Sequence, residues 1–244
     1  MREAAPGRAL LAELLGSALL AALVVGSGIA AQRLSPADSG LELLENAAAT
    51  AAGLPVIIVM FAPVSGGHFN PAVSFAAAAT GGLRWRDAAA YLPAQAAGCI
   101  AGTLLANLMF AAPAITISAK HRASPAHTLA ETVATFGLIL LILALTRTGR
   151  SRLAPAAVGA YIGAAYFFTS STSFANPAIT ISRMFSATFA GIAPSAVPVF
   201  IAAQITGAAL AIATTRALYP AQPGRPPVTS RPGPSTATLE DIGS

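Results

Sequence analysis

The chain has 244 residues, of which 55% are hydrophobic and only 9% charged. Soluble domains carry about 25% charged residues, so this composition excludes an ordinary globular protein. The 14 Lys and Arg residues give a formal net charge of +5, but they form no dense patch of the kind that binds nucleic acid. The single cysteine, Cys99, excludes a disulfide framework. A membrane channel, a transporter and a membrane enzyme remain possible.

Six apolar segments have the length of about 20 residues that a helix needs to cross a bilayer. Hydropathy places them at 9–32, 43–62, 88–111, 127–147, 153–172 and 195–218. Arg2 and Arg8 ahead of the first segment are also compatible with a cleaved signal peptide. Because Glu13 interrupts that apolar run early, we interpret the segment as a retained first span.

The two halves of the chain carry matching short sequences in the same order. The pairs are LAELLG with LAETVA, HFNPAV with FANPAI, and PAQAAG with AAQITG. Each half has three spans and one short segment that begins with Asn-Pro-Ala, and an odd number of spans reverses the second half in the membrane. The sequence predicts an all-α membrane protein with six transmembrane helices plus two re-entrant half-helices, arranged as an inverted repeat.

This repeat defines one channel-like domain, 1–218, with a first repeat at about 9–111 and a second at about 127–218. The Pro-rich segment 219–244 is predicted to be a disordered cytoplasmic tail. Most basic residues fall on the side of the N-terminus, whereas Arg33, Lys120 and Arg122 fall in the opposite loops. By the positive-inside rule, both termini are expected in the cytoplasm.

Asn-Pro-Ala at the start of a short apolar helix has a direct physical interpretation. Asn caps the helix, Pro occupies the first turn where its missing N–H costs nothing, and Ala permits close approach of a second helix. Two such helices entering from opposite faces bring their positive ends together at mid-membrane and repel cations. Neutral solutes can accept hydrogen bonds from the Asn amides. The residues concerned are Asn70, Pro71, Ala72, Asn176, Pro177 and Ala178.

Glu13 and Glu131 are carboxylates at equivalent positions of the first and fourth spans. A carboxylate inside a membrane helix is costly and marks a functional or structurally essential site. We expect each to accept hydrogen bonds from backbone N–H groups of the re-entrant loop in its own half; proton coupling in a transporter is the alternative. No metal-ligand spacing, nucleophile elbow or phosphate loop appears, so the sequence predicts neither an enzyme nor a metal or cofactor.

With these motifs the chain resembles the major intrinsic proteins, the aquaporin and aquaglyceroporin family. The resemblance rests on SGGHFNPAV, the second Asn-Pro-Ala, the AE and AET starts of spans one and four, and the repeated AQ-x-x-G, and it covers about residues 9–218. It implies a right-handed bundle with one pore per subunit, a homotetramer, and passive flow of water or small neutral solutes.

The family also has an outer constriction, which the motifs locate at Thr50, Ala164, Ser173 and Ile179. Family members place an Arg three residues after the second motif Asn, and here that position holds Ile179. The resemblance therefore implies a wide opening that is less polar on one wall. Arg183, one turn further along, either restores a positive charge at the external mouth or, as we prefer, is an ordinary interfacial anchor.

An Arg-less constriction with SSTSFANPA resembles bacterial aquaglyceroporin-like channels associated with arsenic resistance. That resemblance implies a bacterial inner-membrane channel for metalloid hydroxides, such as arsenite or methylarsenite, and for glycerol-like molecules. A general water and glycerol facilitator and, less favoured, a proton-coupled secondary transporter are the alternatives.

Overall fold

The computed structural model describes residues 6–220, and those residues form helices and loops without a β-strand. Most of the predicted tail, 221–244, lies outside the described residues. Eight α-helices follow one another as α1 Pro6–Leu34, α2 Ser39–Ser65, α3 Pro71–Ala79, α4 Trp85–Met109, α5 Pro125–Arg147, α6 Ala154–Phe168, α7 Pro177–Ser182 and α8 Val197–Leu218. Short 3₁₀ helices occur at Ser151–Leu153, Arg183–Phe185 and Pro194–Ala196. The predicted all-α architecture is confirmed.

Within residues 6–220, five helices are long and apolar enough to cross a membrane: α1, α2, α4, α5 and α8 together with the 3₁₀ turn before it. The helix of the fifth predicted span, α6, has 15 residues, a length of about 22 Å at 1.5 Å per residue. It ends at Phe168 rather than at 172, because Thr169 already has an extended backbone (φ −115°, ψ 134°). The chain from Thr169 onward forms the loop that leads to α7.

Close backbone approach between long helices depends on glycine. The α1–α4 and α5–α8 pairs make the most extensive helix contacts of the described bundle. In α4, Gly98 and Gly102 face α1, where a Cβ atom on either would overlap the carbonyl oxygen of Leu14 or Ala18, respectively. Small residues at such positions allow the van der Waals packing that holds membrane helices together.

We expect Gly102→Ala to destabilise the bundle, because α1 and α4 must separate to make room for the added methyl group. Overpacking of this kind costs about 1–3 kcal/mol. The measurement is the thermal unfolding midpoint in detergent, followed by size-exclusion chromatography. Gly7→Ala is the matched control, since a Cβ there has no neighbouring atom within 4 Å. Equal midpoints for the two variants would contradict the packing account.

The two short helices α3 and α7 lie inside the bundle formed by the long ones. Helix α3 contacts α4, α5 and α8, and α7 contacts α4 and α8. The two helices also touch each other. Each follows a loop without regular structure, which is tolerated at membrane depth only where protein or a water-filled cavity surrounds it. This arrangement brings the two Asn-Pro-Ala segments together in the interior.

Candidate functional site

The two Asn-Pro-Ala segments begin their helices in the same way. The Asn70 Oδ1 atom accepts a hydrogen bond from the Ala72 N–H at 2.9 Å. The Asn176 Oδ1 atom accepts from the N–H groups of Ala178 at 2.9 Å and Ile179 at 3.3 Å. In both helices a proline occupies the first turn. Each Asn therefore satisfies N–H groups that a helix start leaves free.

The same two asparagines also join one loop to the other. The Asn70 Nδ2 atom donates to the Ala175 carbonyl at 2.7 Å, and the Asn176 Nδ2 atom donates to the Phe69 carbonyl at 2.8 Å. Phe69 and Ala175 have left-handed backbones (φ 48° and 46°), which non-glycine residues adopt at a cost. A primary amide has two N–H bonds, so each Asn retains a second donor for the cavity that both side chains line.

Glu13 contacts the loop between α2 and α3, called the first loop below, and is fully buried. The second loop is the one between α6 and α7. Its carboxylate accepts hydrogen bonds from the backbone N–H groups of His68 at 3.0 Å and Phe69 at 2.7 Å. The Gln95 Nε2 atom donates to the same carboxylate at 2.7 Å and to the Ser74 hydroxyl at 3.0 Å. The carboxylate thus holds the residue whose carbonyl receives the Asn176 amide, and Gln95 ties it to α3.

Glu131 has the equivalent contacts behind the second loop. Its carboxylate accepts from the backbone N–H groups of Phe174 at 2.8 Å and Ala175 at 2.9 Å. The Gln204 Nε2 atom donates to it at 2.7 Å and to the Thr180 hydroxyl at 2.8 Å. The two halves therefore build the same network around their short helices.

Sequence reasoning assigned no function to the two glutamines of this network. Gln95 and Gln204 were recognisable as a repeated pair in AQ-x-x-G. The hydroxyl that each contacts, on Ser74 or Thr180, stands four residues after the motif Asn, one turn into the short helix. A polar residue repeated in two apolar spans was the available signal, because buried amides need partners.

A cavity of about 780 Å³ in the bundle is lined by Asn70 and Asn176 of the two motifs. It extends along most of α6, since residues from Arg152 before that helix to Tyr166 near its end line it. Three of the four predicted constriction residues line this cavity and are buried: Thr50, Ser173 and Ile179. Most of the remaining wall is apolar.

The fourth predicted constriction residue, Ala164, is in the wrong place for that function. It is exposed and does not line the cavity. The face of α6 that lines the cavity carries Val158, Ile162 and Tyr166 at intervals of one helical turn. Tyr166 approaches the constriction instead, and its hydroxyl lies 3.2 Å from the Thr50 Oγ1 atom.

Arg183 is buried, which contradicts its interpretation as an interfacial anchor. Its side chain is only 1% exposed and lines the cavity. The guanidinium carbon lies 3.5 Å from the centroid of the Phe174 ring, and Nε donates to the Ala190 carbonyl. The chain folds the segment after α7 back over the second loop, so a residue expected at the lipid interface lies inside the protein.

A second buried arginine, Arg122, comes from the loop before α5. It donates to the carbonyls of Gly191 at 3.0 Å, Phe189 at 3.1 Å and Ser171 at 3.3 Å. Burial lowers the pKa of the Arg122 guanidinium only to about 10. Burial, reinforced by the charges of the two arginines, lowers the pKa of Lys120 to about 8.

The described residues 6–220 contain no cluster of three or more His, Cys, Asp or Glu side chains able to hold a metal ion. The polar groups that line the cavity include amides, hydroxyls and guanidinium groups, which donate hydrogen bonds, and carbonyls, which accept them. They suit an uncharged solute that both donates and accepts hydrogen bonds.

Comparisons with known proteins establish the family. The model of the major intrinsic proteins matches residues 1–175, and the chain belongs to that family. It is 50% identical to aquaglyceroporin AqpS of Rhizobium meliloti (strain 1021) over 237 residues, which cover 97% of this chain and 100% of the relative. It is 32% identical to aquaporin TIP1-1 of Arabidopsis thaliana over 166 residues, 64% of this chain and 66% of that protein.

A solved structure shows the same fold. The X-ray structure of the aquaglyceroporin from Plasmodium falciparum matches with a TM-score of 0.68 and 18% identity, covering 88% of this chain and 97% of that one. The chain is therefore a multi-pass membrane protein with the aquaporin fold. It is a passive channel of the aquaporin and aquaglyceroporin class and not an enzyme.

Proposed function

We propose that the channel conducts small neutral solutes with several hydroxyl groups, namely metalloid hydroxides such as arsenite or methylarsenite and glycerol-like molecules. The observation that carries this proposal is Ile179. Its side chain is 3% exposed and lines the cavity, at the position where the resemblance places a constriction Arg. An apolar side chain there leaves room and removes a charged donor from that wall.

The polar groups of the pathway suit such solutes. Asn70 and Asn176 supply amide donors at the point where the two short helices meet. Thr50 and Ser173 supply hydroxyls that donate or accept, and Ser173 Oγ has no hydrogen-bond partner among residues 6–220. Ile179 adds an apolar contact in the same cavity. Neutral arsenous acid has three hydroxyl groups arranged much like those of glycerol, so one pathway serves both.

Glu13 and Glu131 are proposed to brace the two loops rather than to carry protons. Their oxygens accept from the backbone N–H groups that precede each motif, and a glutamine donates to each carboxylate. A carboxylate that alternates between protonation states would hold these N–H groups less strongly whenever it gained a proton, because it would lose its charge. This consideration favours a passive channel over a proton-coupled transporter.

The assembly and the membrane orientation are proposed from the apolar outer surface and from the distribution of basic residues. The outer surface carries large apolar side chains, including Leu15, Val56, Val59, Leu129 and Phe167, in keeping with lipid or subunit contact. We propose a homotetramer in a bacterial inner membrane with both termini in the cytoplasm. The excess of basic residues on the side of the N-terminus supports this orientation.

Stopped-flow light scattering on proteoliposomes tests the proposed substrates. Vesicles containing the protein are compared with empty vesicles for water, glycerol and neutral arsenous acid. We expect both solutes to enter faster through the protein. Water flux alone would contradict the solute proposal, and fast water and glycerol flux without arsenous acid would favour a general water and glycerol facilitator.

A further inference from the structure

Arg183 lines the cavity and carries a hydrogen-bond donor that has no partner among the described residues 6–220. Its side chain is almost completely buried and lines the same cavity as Ile179 and Tyr166. The Nη2 atom is buried and has no hydrogen-bond partner among the described residues 6–220. A buried guanidinium with a free donor is costly. The donor has lost its hydrogen bonds to water and has gained none in the low-dielectric interior. Such a group calls for a ligand atom that accepts a hydrogen bond.

The position of this guanidinium is fixed by the second loop. It lies against the face of Phe174, and its Nε donates to the Ala190 carbonyl. Phe174 is itself held on two sides, by the Glu131 carboxylate at its N–H and by the Phe200 ring at 5.2 Å. Stacking uses the plane of the guanidinium and the hydrogen bond uses Nε, so neither contact engages Nη2.

The neighbouring arginine does not share this function. Arg122 also approaches the Phe174 ring, at 5.2 Å, but it donates to loop carbonyls and does not line the cavity. Two arginines line the cavity. Arg152 comes just before α6, whereas Arg183 comes four residues after Ile179. Arg183 is thus the cationic lining residue nearest to the predicted constriction.

We propose that Arg183 is the charge-bearing specificity residue of this channel: its guanidinium excludes cations, and its Nη2 atom donates to an oxygen of the passing solute. Tyr166, Thr50 and Ser173 complete the polar wall on which that solute is held. The proposal rests on the channel function proposed above and adds the residue that sets its selectivity. Position 179 supplies the apolar wall, and the charge stands one helical turn further along.

This separation has a consequence for selectivity. A guanidinium at position 179 would combine charge and bulk at a single point of the pathway. With Ile179 and Arg183 at different places, the opening is wide for a neutral solute, while a cation still meets a fixed positive charge in a low-dielectric wall.

The test measures cation leak and neutral-solute flux in the same proteoliposomes. Wild-type protein is expected to conduct glycerol and arsenous acid but not Na⁺. Arg183→Gln is expected to raise Na⁺ leak about tenfold or more, because a unit charge at close range dominates the local potential. Arg183→Lys keeps the charge and is expected to exclude Na⁺, with altered solute flux because the fork that donates to the solute is lost.

Arg122→Gln is the matched control, since it removes a buried guanidinium that does not line the cavity. It is expected to leave Na⁺ exclusion intact. Unchanged Na⁺ exclusion in folded Arg183→Gln, or equal leak in the Arg122→Gln control, would overturn the proposal. If Arg183→Gln is not recovered as folded protein, Na⁺ leak is measured in Ser173→Asp instead. It retains every contact of Arg183 but offsets its charge in the cavity, and it is expected to admit Na⁺; continued exclusion would overturn the proposal.

The two proposals fail in distinguishable ways. Wild-type vesicles without solute flux would overturn the proposed channel function itself. Normal solute flux in the wild type, together with a tight Arg183→Gln variant, would overturn only the assignment of Arg183.

Discussion

Replacing Ile179 by Arg is expected to reduce glycerol and arsenous acid flux sharply, by about tenfold or more, while water flux persists. The side chain at this position is buried and lines the cavity. A guanidinium there narrows the pathway and adds a second positive charge near Arg183. The two like charges repel each other strongly in a low-dielectric site. Water needs less room than a molecule with three hydroxyl groups. Stopped-flow light scattering on the variant in proteoliposomes gives all three rates.

Ile179→Val is the matched control, because it changes the volume slightly and adds no charge. We expect it to retain solute flux. The outcome that would contradict the account is solute flux in Ile179→Arg equal to that of the wild type. That result would show that residue 179 does not lie at the constriction.

Glu131→Gln is expected to impair both folding and conduction, although the two side chains have nearly the same shape. The wild-type carboxylate accepts from the N–H groups of Phe174 and Ala175 and from Gln204, all within 3 Å. A glutamine can place only one oxygen there, so its NH₂ group must face another donor. Each buried N–H left without an acceptor costs about 1–3 kcal/mol. The thermal unfolding midpoint and glycerol flux measure the two effects.

Glu45→Gln serves as the control for this substitution. Glu45 is half-buried and accepts from the Ser35 hydroxyl at 2.9 Å, in the turn between α1 and α2. It is expected to unfold and conduct like the wild type. If Glu131→Gln were equally stable and active, the second loop would not depend on the carboxylate, and the bracing hypothesis would be wrong.

Local signals predicted the parts of the site that depend on neighbouring residues. The cap at Asn70 joins its side chain to Ala72, two residues away. The tripeptide alone therefore predicts where the helix begins. The apolar lengths of the spans predicted helices in the same way, and their observed positions differ from the predicted ones mainly at the helix ends. Glu13 and Glu131 stood out because a carboxylate is rare in an apolar run.

Features that depend on tertiary structure could not be predicted from local sequence patterns. Ala164 was chosen by counting back from the second motif, but the rotation of α6 directs Tyr166 to the cavity and Ala164 outward. The burial of Arg183 depends on the Phe174 ring and the Ala190 carbonyl, which the loop path brings together. The bonds from each Asn to the opposite loop join residues of different repeats, so neither half alone could predict them.

The central claim is that the protein is a passive channel for neutral solutes, and the concentration dependence of arsenous acid influx tests it most directly. Initial rates are measured in wild-type proteoliposomes with and without a pH gradient, and empty vesicles supply the background. A passive channel predicts rates that rise linearly with concentration, do not respond to the gradient and stop when both sides are equal. Saturating influx, or accumulation above the outside concentration when the gradient is imposed, would contradict the account and favour a proton-coupled transporter.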